Sequence, residues 1–309
     1  ADAGTNITSA TGNISITGST IGNEASDRGV NIDNGVLVTS TGTALITIDG
    51  TSSDAAGGEG VFIATAGTQV ASLDGDIAID GTSASRAGIS LTDTASIDAT
   101  GTANITLQGT GGGAESGVQV DSSINSATGV VTVRSEDGSS STDDISFGAA
   151  GAVTSTSGTV TIDADTAGTT ADVFMADGAV INAGSGLIDI DADVDVTLGG
   201  LQTTSDVQIT AVAGGVIDGG DLHTDITANT GTVVIDAVTG VGSADAIDTT
   251  IATLDLDNTA SGNVNINETD ALDINELDQD AAAGTVNVDA DGTITVVDGL
   301  AGVSGLAGQ

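Results

Sequence analysis

In a chain of 309 residues, 44 acidic side chains stand against three basic ones, Arg28, Arg86 and Arg134, for a formal net charge of −41. Such a surface repels phosphate backbones and anionic membranes, which argues against nucleic-acid binding and against membrane insertion. Cys, Pro, Trp and Tyr are absent, so disulfides and thiolate metal sites are excluded.

An acidic excess often signals disorder. Here 39% of the residues are hydrophobic, and Val, Ile and Leu recur as evenly spaced anchors. In chain order, a Gly followed by an alternating apolar pair appears as GNISIT from Gly12, GTALITID from Gly42, GDIAID from Gly75 and GTANITLQ from Gly101. It continues as GVVTVR from Gly129, GTVTIDAD from Gly158, GLIDIDAD from Gly186 and GTVVIDA from Gly231, then GNVNIN from Gly262 and GTVNVDAD from Gly284. The spacings are 30, 33, 26, 28, 29, 28, 45, 31 and 22 residues, and the interval of 45 points to an extra partial coil around Val207 and Ile209. A second pair follows in the early repeats, from Val30/Ile32 and Val61/Ile63 to Val173/Met175. A third apolar position follows in turn, from Val38 and Val70 to Ile181.

Each unit therefore holds three short strands of period two, with no helical period between them. Repetition at this length marks a solenoid. The expected fold is all-β: a right-handed parallel β-helix of about ten coils, each of three short strands. Residues 1–309 read as one continuous segment, with regular coils over 12–185 and less regular ones over 186–309. A β-sandwich is the rival fold, but it needs hairpins and gives no reason for residue types to match from repeat to repeat. The opening Ala1-Asp2-Ala3-Gly4 reads as that of a processed or excised piece.

Aligning the first strands gives an outward column of Thr17, Asp49, Asp80, Gln108, Arg134, Asp163, Asp191, Asp236, Asn267 and Asp289. Asp189, Asp191, Asp193 and Asp195 alternate, which would place all four on one strand face beside Asp163 and Asp165 of the preceding coil. These six carboxylates are the candidate metal site, and calcium is the cation they suggest. A solvated acidic face is the plainer reading, because a flat strand offers a poor calcium cage. Val196 also stands where an EF-hand loop needs Gly. Gly214-Gly215 and Gly219-Gly220-Asp221 resemble fragments of calcium-binding nonapeptide repeats, but they do not recur and read as turns. His223, the single histidine, lies in GGDLHTDIT without a nucleophile elbow, and no catalytic residues are expected. Met175 and Phe147 share an inner column, whereas Phe62 and Phe174 point outward. Thr47, Thr106, Thr132 and Thr161 share an outward column, but Ala78 interrupts it, so no flat ice-binding array forms.

The later stretch, DVTLGGLQTTSDVQIT from Asp195, GTVVIDAVTGVGSADAIDTTIATLDLDNTASGNVNI from Gly231 and ETDALDI from Glu268, resembles filamentous-haemagglutinin-like bacterial surface proteins. The resemblance spans essentially the whole chain in low-complexity motifs. It implies a secreted, extracellular adhesin or matrix filament. The partners to expect are further coils, copies of itself stacked head to tail or side by side, and cell-surface or matrix polymers. A calcium-dependent assembly module is the second reading. A polysaccharide lyase or hydrolase is a distant third, since three scattered Arg residues cannot grip an acidic sugar.

Overall fold

The computed structural model describes residues 4–21, 27–53, 57–113, 115–136, 144–164, 170–220, 223–280 and 283–297. Every strand pairing among them is parallel, and the chain winds as a parallel β-helix with three walls. The first wall begins with Ile14–Thr20, Ile46–Ser52 and Ile77–Ser83, the second with Val30–Ile32 and Val61–Ile63, and the third with Leu37–Ser40 and Gln69–Ser72. Stacking is in register: Ile46 lies over Ile77, which lies over Ile105, and Ile48 over Ile79 over Leu107. The alternation expected from the sequence follows directly, because period two sends each apolar pair to one side of its wall. These pairs form a single buried core from Ile14 to Leu277.

Among the described residues the first wall has eleven successive strands, running from Ile14 through Ile188, Val207, Val233 and Leu254 to Ile274, with a register shift between Leu254 and Asp255 in the last pairing. The interval that suggested a partial coil holds a complete one, since Val207 and Ile209 sit squarely between Ile188/Ile190 and Val233/Ile235. The winding tightens at this point. Nine residues, 21–29, connect the first wall to the second in the first coil, whereas three, 193–195, do so after Ile188–Ala192.

The tightening also corrects the expected outward column. Asp236 is followed by Asp257 and Asp278, while Asn267 and Asp289 lie in a different column beside Asp248. Val264 continues the second wall through the single bridges Val216–Val241–Val264. The Gly-led motif marks a strand leaving a corner. Once corners lose residues, that strand no longer belongs to the same wall.

Two features fix the corners. Buried serines line the end of the third wall. The Ser40 and Ser126 hydroxyls donate to the carbonyls of Gly42 (3.3 Å) and Gly129 (2.8 Å), Ser72 donates to that of Gly75, and Ser155 accepts the Gly158 N–H at 2.8 Å. At the opposite end of the first wall, Gly18, Gly50, Gly81 and Gly109 stack in register. Facing them are Gly29, Gly60, Gly88 and Gly117, so close that a Cβ on Gly50 or Gly81 would overlap the carbonyl oxygen opposite. Ser135 follows Gly109 in that register, and later coils place Ala164, Ala192 and Ala211 there.

Gly81→Ala should therefore lower stability by about 1–3 kcal/mol, through an overlap with backbone that cannot swing away. Gly12→Ala, whose added Cβ meets only the Ser9 hydroxyl, should stay within about 0.5 kcal/mol of the parent. Thermal unfolding followed by circular dichroism separates the two.

Candidate functional site

The five candidate carboxylates among the described residues, Asp163, Asp189, Asp191, Asp193 and Asp195, do not gather on one face. Asp163 and Asp191 are paired neighbours on the first wall, and Asp189 pairs with Thr161. Burial, then the charge of Asp163, pushes the Asp189 carboxyl above its ordinary range. Asp163 is engaged by Arg134, with 2.9 Å from Nε to Oδ2. Asp165 lies outside the described residues. The strand ends at Ala192, so Asp193 enters the corner, where it is 8% exposed, and Asp195 stands at the start of the second wall. A face shared by all four alternating aspartates would need the strand to continue, and the shortened corner turns the chain away.

Asp195 is instead one link in a chain of coil-to-coil hydrogen bonds. Its N–H donates to Asp172 Oδ1 and its own Oδ1 accepts the Gly215 N–H, both at 2.7 Å. The same arrangement recurs at the corner leading into the first wall. Asp76 accepts the Asn104 N–H (2.9 Å), Asn104 accepts that of Val130 (2.9 Å), and Asp206 accepts that of Thr232 (2.8 Å). Much of the acidity is therefore structural: short carboxylates and amides tie each coil to the next where the strand ladder stops.

The acidic ladder of the later coils stacks Asp236, Asp257 and Asp278, with Asp255 and Glu276 beside them. Partial burial, then Glu276, Asp236, Asp278 and Asp255, raise the Asp257 carboxyl above its ordinary range.

The least regular region lies where the second wall thins to Val241. Gly240 and Gly242 take positive φ values of 124° and 60°, and the looped chain leaves a pocket of about 260 Å³ lined by Asp195, Ile217, Asp218, Thr239, Ser243 and Asp245. Next to it, His223 Nδ1 lies 2.7 Å from Asp177 Oδ1. Asp225 is completely buried, and its carboxyl is pushed up to about 8, chiefly by loss of water and then, against the Asp248 N–H that lowers it, by the carboxylates of Asp218 and Asp248. Among the described residues no three His, Asp or Glu side chains are placed to hold a metal ion. The Gly214-Gly215 and Gly219-Gly220 steps sit at corners, and Asp221 lies outside the described residues.

Asp218, Asp225 and Glu268 were not singled out from the sequence. For Glu268 a signal existed: alternation through Val264, Ile266 and Glu268 points the carboxyl inward. Its Oε2 accepts the Thr249 hydroxyl (2.7 Å) and the Ile251 N–H (3.1 Å), Oε1 accepts the Asp270 N–H (3.1 Å), and burial raises it above the usual range. Among the described residues no helix is long and apolar enough to cross a membrane. No family model, no curated protein and no solved structure matches the chain.

Glu268→Ala should cost about 2–4 kcal/mol, since it leaves a buried hydroxyl and two N–H groups unpaired beside a void. Glu268→Gln, which keeps an acceptor oxygen, should cost less than half as much. Chemical denaturation of both variants checks this.

Proposed function

We propose that this chain is a structural shaft, a β-solenoid segment of an extracellular bacterial adhesin or matrix filament, and that it has no enzymatic role. The observation that carries this reading is the continuous ladder of stacked coils, in which several carboxylates hold coil to coil. The three cations are all committed to carboxylates: Arg28 to Glu59 at 2.5 Å, Arg86 to Glu115 at 3.9 Å and Arg134 to Asp163 at 2.9 Å. Arg28 also lies 3.5 Å above the Phe62 ring. No basic group is left over to grip an acidic sugar, which disfavours a lyase. The resemblance to filamentous-haemagglutinin-like proteins supports the extracellular assignment. Its partners are further coils, other copies of the chain, and cell-surface or matrix polymers.

A second reading, calcium-dependent bridging between neighbouring rods, is favoured by the Asp236–Asp257–Asp278 ladder, whose carboxylates repel one another on an outward wall. Bridged ladders would bind cations between molecules, so no closed cage within one chain is needed.

Electron microscopy of the purified chain should reveal rods about 50 Å long per copy, from ten steps of about 4.8 Å. Antibodies to the chain should label the surface of intact producing cells. Labelling confined to permeabilised cells would reject the extracellular shaft. For the second reading, calcium should raise the melting temperature in proportion to the logarithm of its free concentration and should assemble rods side by side. Sodium chloride at matched ionic strength should do neither.

A further inference from the structure

We propose that Asp218 and Asp225 share a single proton at neutral pH, and that this proton locks together the three coils that meet at Leu201, Ile226 and Thr249. The inference does not depend on what the shaft carries. Asp225 sits just before Ile226, and three coils are joined through it. Its carbonyl accepts the Leu201 N–H at 2.7 Å, its N–H donates to the Asp248 carbonyl at 2.8 Å, and its Oδ2 accepts the Asp248 N–H at 2.8 Å. Its remaining oxygen, Oδ1, is buried and meets no N–H or side-chain hydroxyl among the described residues. The polar group that interacts with the Asp225 carboxyl from the second wall is the carboxyl of Asp218.

Two ionised carboxylates facing one another supply acceptors only, and each disfavours the charge of the other where water is excluded. One proton resolves the conflict by turning one oxygen into a donor. The surrounding charges favour keeping it. Asp248 faces Asp225 directly, and Asp245 and Asp248 face Asp218. The one cation-capable group near Asp218 is His223, which is already held by Asp177. Asp218 itself spends Oδ1 on the Gly220 N–H at 2.8 Å and is raised above its ordinary range mainly by burial. The site lies beside the part of the second wall that narrows to the single bridged residue Val241.

The linkage has a definite sign. The Asp225 carboxyl is raised from 3.8 to about 8 in the folded chain, so between these values the folded state holds a proton that the unfolded state has released. Its contribution is fully present below about pH 4 and declines as pH rises, by up to tenfold in the folding constant per pH unit, until the folded group ionises near 8.

The test compares hydrogen exchange at about pH 6 and about pH 9, corrected for intrinsic rates, in the intact chain and in Asp225→Asn and Asp218→Asn. Either amide provides a permanent donor in place of the proton. In the parent, protection of the Leu201 and Asp248 amides should fall at least tenfold at the higher pH, while the Ile46–Ser52 and Ile77–Ser83 strands hold. In either variant the fall should disappear. Infrared spectra of the parent at neutral pH should contain a protonated-carboxyl band that is missing from Asp225→Asn. Unchanged protection in the parent, an equal fall in both variants, or no such band would overturn the proposal. Two variants keep the test decisive if one fails to fold.

Discussion

Everything in this molecule depends on each coil lying in register on the one before it. A single coil buries only a few aliphatic side chains and satisfies almost none of its own backbone hydrogen bonds, so its neighbours must complete it. Along the walls the strand ladder does this. At the corners the ladder stops, and short polar side chains take over: buried Ser hydroxyls at the end of the third wall, and Asp or Asn carboxyl and amide oxygens at the entry to the first. These side chains reach the backbone of their own turn or of an adjacent coil. A large share of the chain's acidity thus exists because carboxylates are compact acceptors that suit a corner.

That division explains what could be read from the sequence. The apolar pairs repeat wherever a wall must face the core, so the walls, their number per coil and the register of Ile46, Ile77 and Ile105 were all legible. Wall membership became ambiguous after Ala192, because the Gly-led motif reports that a strand begins and not which wall it joins. Asn267 and Asp289 were misplaced for this reason, and Asp257 and Asp278 overlooked. The candidate acidic face failed on a related point. Alternation keeps Asp189, Asp191, Asp193 and Asp195 together only while the strand lasts, and nothing in IDIDADVDV announces that it ends at Ala192. Long-range pairing, the feature that brings Asp218 to Asp225, leaves no trace in local spacing.

The shaft manages its own repulsion in several distinct ways. Arg134 sits among acidic neighbours and neutralises Asp163. Asp195 and Asp206 direct their carboxylates at backbone N–H groups of the next coil. Glu268 is drawn into the core and surrounded by donors. Carboxylates without such partners, as in the Asp257 ladder, remain at least partly solvated, where water weakens like-charge repulsion. The strongest conflict falls on Asp225, which has lost its water and faces another acid.

The passage of the second wall through Val241 alone has a mechanical consequence. In a stack where each layer contacts only its neighbours, resistance to pulling is set by the weakest junction and not by the average one. A tensile load along the axis would be borne by sheets on three sides over most of the length and mainly by two near Gly240. Rupture would start there, separating the coils before Gly240 from those after it. The thinned wall would thus act as a mechanical fuse, and yielding first at one fixed place would spare the coils on either side of it.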